Sequence, residues 1–184
     1  MEIQSTRIED VKILQPRAFR DDRGYFMETW NQRTLDRLGL ELRFVQDNES
    51  RSTQGTLRGI HFQRQRPQGK LVRVVSGKVF DIAVDLRAGS PTFGQWTGHE
   101  LSDTNMTQLW IPPGFGHAFY VMSDVAVFNY KCTDYYQGDD QWSLRWDCPE
   151  VAIQWPLDPA VKVLLSPADR DAPGLSQLRT ILGA

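Results

Sequence analysis

The sequence predicts an all-β protein, and three observations carry the prediction. Its apolar or alternating runs are short, Gly, Pro, Asn and Asp punctuate them closely, and helix signals are sparse. The runs read "YFMETW", "KLVRVVSG", "KVFDIAVDL", "TQLWIP" and "VAVFNYKC". Many short strands in 184 residues point to a sandwich or barrel, with a jelly roll the natural candidate. The length fits one domain, residues 1–184, and can bury a full core without metals or disulfides. There is no internal repeat, and the prolines are scattered rather than gathered into a linker.

Two stretches read as short helices. "NQRTLDRLG" starts on Asn31, spaces Leu35 and Leu38 three apart and stops at Gly39, and the tail "GLSQLRTIL" is the second. Neither is long enough to organise a core. Lys and Arg number 21 against 23 Asp and Glu, a net charge of −2, so no broad basic field gathers nucleic acid. An anionic ligand therefore needs a local cluster. Cys132 and Cys148 form no C-x-x-C pair, which fits a reducing cytosol. "MEIQSTRIED" carries no signal pattern, and no apolar run approaches the roughly 20 residues of a membrane span. The expectation is a soluble, cytoplasmic protein.

Strand alternation sorts the candidate residues by face. In "KVFDIAVDL" it places Phe80, Ile82, Val84 and Leu86 on the core side, and Asp81, Ala83 and Asp85 on the other. In "LRGIHFQ" it places His61 with Leu57 and Gly59, the glycine leaving open space beside the imidazole. Arg58 then faces away unless a bulge intervenes. His61 is one of three histidines; alone it reads as a core histidine, but the glycine beside it and the polar residues after it favour a functional group. His99 reads as structural, and His117 follows a Pro and Gly turn, "PPGFGHAF", that suits a barrel mouth or a surface corner.

A metal site is disfavoured. "HFQ" lacks the second imidazole, and Lys70 brings a positive charge into the same neighbourhood. Lys70 alternates with Val72 and Val74, so it is either a strand-end lysine snorkelling to water or a cation kept for a purpose. Tyr130, in line with Ala126 and Phe128, is either a core tyrosine or a positioned hydroxyl. Arg23, Glu28, Gln46 and Asn48 are alternately spaced polar residues that a solvated strand face also explains. No phosphate loop, G-x-S-x-G elbow or H-E-x-x-H occurs. The residues alone thus reach a β protein with a candidate His, Lys and Tyr pocket.

The ordered set "RGYFMETWN", "QDNESRS", "LRGIHFQ", "QGKLVRVVSGKVFDIAVDLRAGSPTFGQW", "IPPGFGHAF", "YKCTDYY" and "LSPADRD" resembles the dTDP-4-dehydrorhamnose 3,5-epimerase family over nearly the whole chain. The resemblance implies a cupin-like β-jelly roll, a homodimer that exchanges N-terminal strand material, and action without metal or cofactor in rhamnose biosynthesis. It implies His61 as general base oriented by Asp169, Tyr130 as acid, and Lys70 as stabiliser of an enolate. Arg23, Glu28, Gln46, Asn48, Arg58, His117 and Tyr136 match positions that hold sugar, diphosphate or thymidine, and Phe19 and Phe26 match aromatic positions near the base. Two departures stand out: Ala168 where many relatives have lysine, and Gln141, in the ligand-contact set, where glutamate is expected. A single-carbon epimerase or ketoisomerase, a non-catalytic sugar-nucleotide binder and a metal-dependent cupin dioxygenase are the rival readings.

Overall fold

The short runs become thirteen strands in a computed structural model that describes residues 1–184. The chain opens with β1 (Glu2–Ser5) and β2 (Lys12–Gln15), then folds β3 (Ala18–Asp21) and β4 (Gly24–Met27) into a hairpin. Helix α1 (Gln32–Arg37) leads to β5 (Gln46–Thr53), β6 (Leu57–Gln63), β7 (Lys70–Ser76) and β8 (Lys78–Asp85). Next come β9 (Trp96–Ser102), β10 (Gln108–Ile111), β11 (Phe115–Val121) and β12 (Val125–Cys132). A short β13 (Gln141–Ser143), α2 (Pro167–Arg170) and α3 (Leu175–Leu182) complete it. One antiparallel sheet has the order β1-β2-β10-β7-β12-β5 and the other β13-β6-β11-β8-β9. Sequence neighbours are mostly not sheet neighbours, which is the cupin-like jelly roll.

Between the sheets, Val72 and Val74 of β7 and Ala126 and Phe128 of β12 join Ala83 of β8 and Phe119 and Val121 of β11 in one buried cluster. Each Val or Phe side chain so removed from water contributes roughly 1.5–3 kcal/mol, and the two alanines less. The alternation reading of β8 holds for Ile82, Val84 and Leu86, which are core, and is corrected for the opposite face. Its Phe80, Ile82, Val84 and Leu86 face is buried, but on the outer side of the sheet, under Leu144, Val151, Leu175 and Leu178 of the C-terminal segment. The opposite face points between the sheets, so Asp81 and Asp85 are both 0% exposed. A strand covered on both sides loses the in-and-out meaning of alternation. Burying two carboxylates is tolerable because each has partners: His117 for Asp81, and Arg87, Ser90 and Thr92 for Asp85.

Both expected helices form. The Asn31 side chain accepts the Thr34 N–H at the start of α1, and Leu35 is buried while Leu38 stays largely exposed. In α3, Leu175 and Leu178 pack onto the five-stranded sheet. α2 was not expected, although its signal is present: Ser166 caps it through the Asp169 N–H at 3.1 Å, and Pro167 opens the first turn. The β3–β4 hairpin pairs with neither large sheet and holds Phe19, Tyr25 and Phe26 at 54%, 50% and 72% exposure. Apolar rings this exposed on one short hairpin are unusual for an isolated surface.

Candidate active site

The site lies between the facing sheets. Pairing sets Gln46, Cys132 and Lys70 in one row across β5, β12 and β7, and Asn48, Tyr130 and Val72 in the next row of the same strands. These residues lie on the side that carries Phe128, Ala126 and Val74 into the core. The facing wall comes from β6 and β11, where His61 pairs with His117. A cleft of about 340 Å³ is lined by Gln46, Asn48, His61, Phe62, Gln63, Gln68, Lys70, Tyr130, Tyr136 and Gln141. An adjoining inner cavity of about 180 Å³ shares His61, Lys70 and Tyr130 and adds Glu49, Ser50, Arg58, His117 and Phe119.

A bulge decides what β6 presents. His117 and Phe119, two apart on β11, pair with His61 and Arg58, three apart on β6. The extra residue turns Arg58 to the same side as His61, meeting the condition that a regular strand would not. It also corrects the reading of Gly59. A Cβ there would sit 2.5 Å from the His117 carbonyl oxygen and 2.6 Å from the Ala118 Cβ. The glycine serves the close approach of β11 and a backbone at φ +114, rather than leaving space beside the imidazole.

His61 Nε2 lies 2.5 Å from Asp169 Oδ1, across 108 residues of sequence. Backbone pairing brings the two segments together: Leu57 donates to the Leu164 carbonyl at 2.9 Å, and Leu164 donates to that of Gly55 at 2.8 Å. α2 then turns Asp169 toward the strand. Burial raises the Asp169 pKa, but hydrogen bonds from His61, Ser166 and the Gly59 N–H outweigh it, and the net shift is downward. Asp169 is 3% exposed and ionised beside the more open imidazole.

Lys70 stands at the open end of the valine line, partly exposed. Burial lowers its pKa, with Cys132 and Asp81 opposing. Burial likewise raises the Tyr130 pKa, so its hydroxyl keeps its proton at neutral pH. His117 is 8% exposed, with Nε2 2.8 Å from Asp81 Oδ2 and its ring stacked on Phe128 at 5.9 Å. His99 lies elsewhere, its Nε2 3.2 Å from Thr97 Oγ1.

Of the residues singled out from sequence, His61, Lys70, Tyr130, Gln46, Asn48, Arg58, His117, Tyr136 and Gln141 line the two cavities, and Asp169 backs His61. Phe19, Arg23 and Phe26 do not: they line a separate hollow on the hairpin, where Arg23 pairs with Asp21 at 2.6 Å. Glu28 is also apart, accepting from Asn31 Nδ2 at 2.8 Å. Sequence reasoning missed Gln63 and Gln68. The signal for Gln63 was readable, since it lies two residues past His61 on the same strand, whereas Gln68 precedes β7 and has no strand face. No group of three or more His, Cys, Asp or Glu side chains is placed to hold a metal ion.

An imidazole on one wall faces a phenol that keeps its proton and a lysine on the other, inside one jelly-roll cleft. A family model described as dTDP-4-dehydrorhamnose 3,5-epimerase matches residues 5–177. A Pseudomonas aeruginosa protein of that name is 52% identical over 164 residues, covering 89% of this chain and 90% of its own. A Legionella pneumophila dTDP-6-deoxy-D-glucose-3,5-epimerase, solved in complex with dTDP-4-keto-L-rhamnose, superposes with a TM-score of 0.94 at 49% identity, covering 98% of this chain and 96% of its own. A dTDP-4-dehydrorhamnose 3-epimerase from Streptomyces niveus is 38% identical over 181 residues, 97% of this chain and 86% of its own. The chain belongs to the dTDP-4-dehydrorhamnose 3,5-epimerase family.

Proposed function

We propose that the protein epimerises C3 and C5 of dTDP-4-dehydro-6-deoxy-glucose, giving dTDP-4-dehydro-L-rhamnose, in the cytoplasm and on the route to dTDP-L-rhamnose. One observation carries the reading: His61 and Tyr130 come from facing sheets and line the same cavities. Inversion at carbon needs a base on one face of the ring and an acid on the other. The C4 ketone acidifies the hydrogens on C3 and C5, so His61 removes a proton and the electron pair moves onto O4 as an enolate. Lys70 holds that developing charge in a partly desolvated cleft. Tyr130 then protonates the carbon from the opposite face, and both groups reset by exchange with water. Asp169 fixes the His61 tautomer and stabilises the imidazolium.

Arg58 and His117 take the sugar in the inner cavity, while Gln46, Asn48, Tyr136 and Gln141 meet the diphosphate and nucleoside nearer the mouth. The whole chain acts as one domain, since β1 and β2 complete the six-stranded sheet and the C-terminal segment supplies Asp169. Two copies pair as a homodimer in which each exposed hairpin brings Phe19, Arg23, Phe26 and Glu28 to its partner's cleft. This accounts for aromatic rings that their own chain leaves more than half exposed. Inversion at a single carbon is the second reading, favoured by the likeness to a 3-epimerase. Ala168 and Gln141 are the positions where ligand contact differs from the expected pattern.

The test is incubation with dTDP-4-dehydro-6-deoxy-glucose in deuterated water, with the label located by NMR. Deuterium at C3 and C5 is expected. Deuterium at one carbon leaves the single-site reading, and deuterium at neither ends the catalytic one.

A further inference from the structure

We infer that Gln63 is a positioning residue for the cleft mouth: its side-chain amide fixes Tyr136 as a platform for the nucleotide base. Tyr136 is 53% exposed, yet its backbone is held at three consecutive residues. Gln63 Nε2 donates to the Tyr135 carbonyl at 3.4 Å, and Gln63 Oε1 accepts the Gln137 N–H at 2.9 Å. Between them, Gln46 Oε1 accepts the N–H of Tyr136 itself at 2.9 Å. Gln46 and Gln63 belong to opposite sheets, so the segment is tied to both walls across the open end.

Gln63 is only 5% exposed, and its remaining bond, Nε2 to the Arg66 carbonyl at 2.7 Å, links the 64–68 loop to the same grip. Asp140 anchors the far side of the segment. Its carboxylate accepts the Arg64, Gln65 and Arg66 N–H groups at 3.3, 2.9 and 2.9 Å. A buried amide with both ends engaged holds the backbone on either side of Tyr136 to one course, and its loss would leave the groups it pairs without partners. A ring already in position loses less freedom when a base stacks on it, and aromatic faces are general platforms for bases.

The inference rests on the reading of the cleft as a dTDP-sugar site. It is tested by measuring dTDP affinity calorimetrically, together with KM and kcat, in the wild type, Gln63→Met, Tyr136→Ala and the double variant. Gln63→Met should weaken dTDP binding and raise KM roughly tenfold, with a much smaller change in kcat. In the Tyr136→Ala background the same substitution should change affinity less than about twofold, because the two act through one group. Equal losses in both backgrounds would mean that Gln63 touches the ligand directly and would overturn the proposal, as would a fall in kcat at constant KM. Asp140→Asn, which does not line the cleft, should give the same split and serves if Gln63→Met does not fold. A wild-type protein that neither binds dTDP nor exchanges deuterium defeats the reading of the site; an active wild type matched by Gln63→Met in affinity defeats only this inference.

Discussion

The two histidines paired across β6 and β11 each hold an aspartate, Asp169 from α2 for His61 and Asp81 from β8 for His117, and the two pairs differ in access to the cleft. His61 and Asp169 meet at 2.5 Å with the histidine side chain 32% exposed, whereas His117 and Asp81 meet at 2.8 Å with side chains 9% and 0% exposed. His61 has a free ring face on the cleft and a carboxylate behind it. His117 is stacked on Phe128, its carboxylate sealed among strands. The same two residue types therefore leave the ring open to the cleft in one pair and pack it in as a fixed wall in the other. Access separates the two pairs, more than the hydrogen bond they share.

The largest expected effect breaks the comparison on its catalytic side. His61→Ala should cost at least about 10³-fold in deuterium exchange at both carbons while dTDP still binds. An active variant would remove His61 from the mechanism. His117→Ala should lower stability as well as sugar binding, because it leaves the buried Asp81 without its His117 partner, a loss of about 1–3 kcal/mol read as a fall in the urea midpoint. If His117→Ala unfolds no more readily than His61→Ala, the contrast between the pairs is wrong. Lys70→Ala should lower turnover by about 10²-fold as a lost oxyanion donor. A change confined to KM would make Lys70 an anchor only.

Tyr130→Phe separates removal of the proton from its return. The ring and its packing against Phe128 remain and only the hydroxyl goes. Exchange into the substrate should continue while inverted product falls, because the enolate is reprotonated from the side it left. Loss of exchange and inversion together in a folded variant would place the hydroxyl in enolate formation, and full activity would return Tyr130 to the core.

Much of this site was legible as period-two alternation. Lys70, Tyr130, Gln46 and Asn48 lie on the faces their spacing gives, since β5, β7 and β12 run regularly where these residues sit. What escaped depended on contacts that alternation cannot carry. The bulge between Arg58 and His61 needs the register of β11, the burial of Asp81 needs the six-stranded sheet that faces its side of β8, and the reach of Asp169 needs the pairing of Leu57 with Leu164. The link of Asp169 to His61 came from family resemblance, because nothing local joins residues 108 apart. The hairpin was read as strand, but no spacing tells that its rings stand clear of their own cleft.

The smallest expected effect is also the one that sharpens the comparison most, because it gives the two aspartates opposite signs. In Asp169, burial is outweighed by hydrogen bonds from His61, Ser166 and Gly59, so the folded pKa lies below the unfolded value of about 3.9. Its contribution to stability is therefore present above that value and is lost as pH falls through the folded pKa. In Asp81, burial dominates over the opposing His117 and Lys70, and the Oδ1 atom has no hydrogen-bond partner, so the folded pKa is raised. That contribution is fully present below the unfolded pKa and is lost as pH rises through the folded one. Urea unfolding of wild type, Asp169→Asn and Asp81→Asn across the acid range reads both. As pH falls, the advantage of the wild type should shrink against Asp169→Asn and grow against Asp81→Asn. Parallel trends would show that the sealed pair and the open pair hold their carboxylates alike, and that access to the cleft alone distinguishes them.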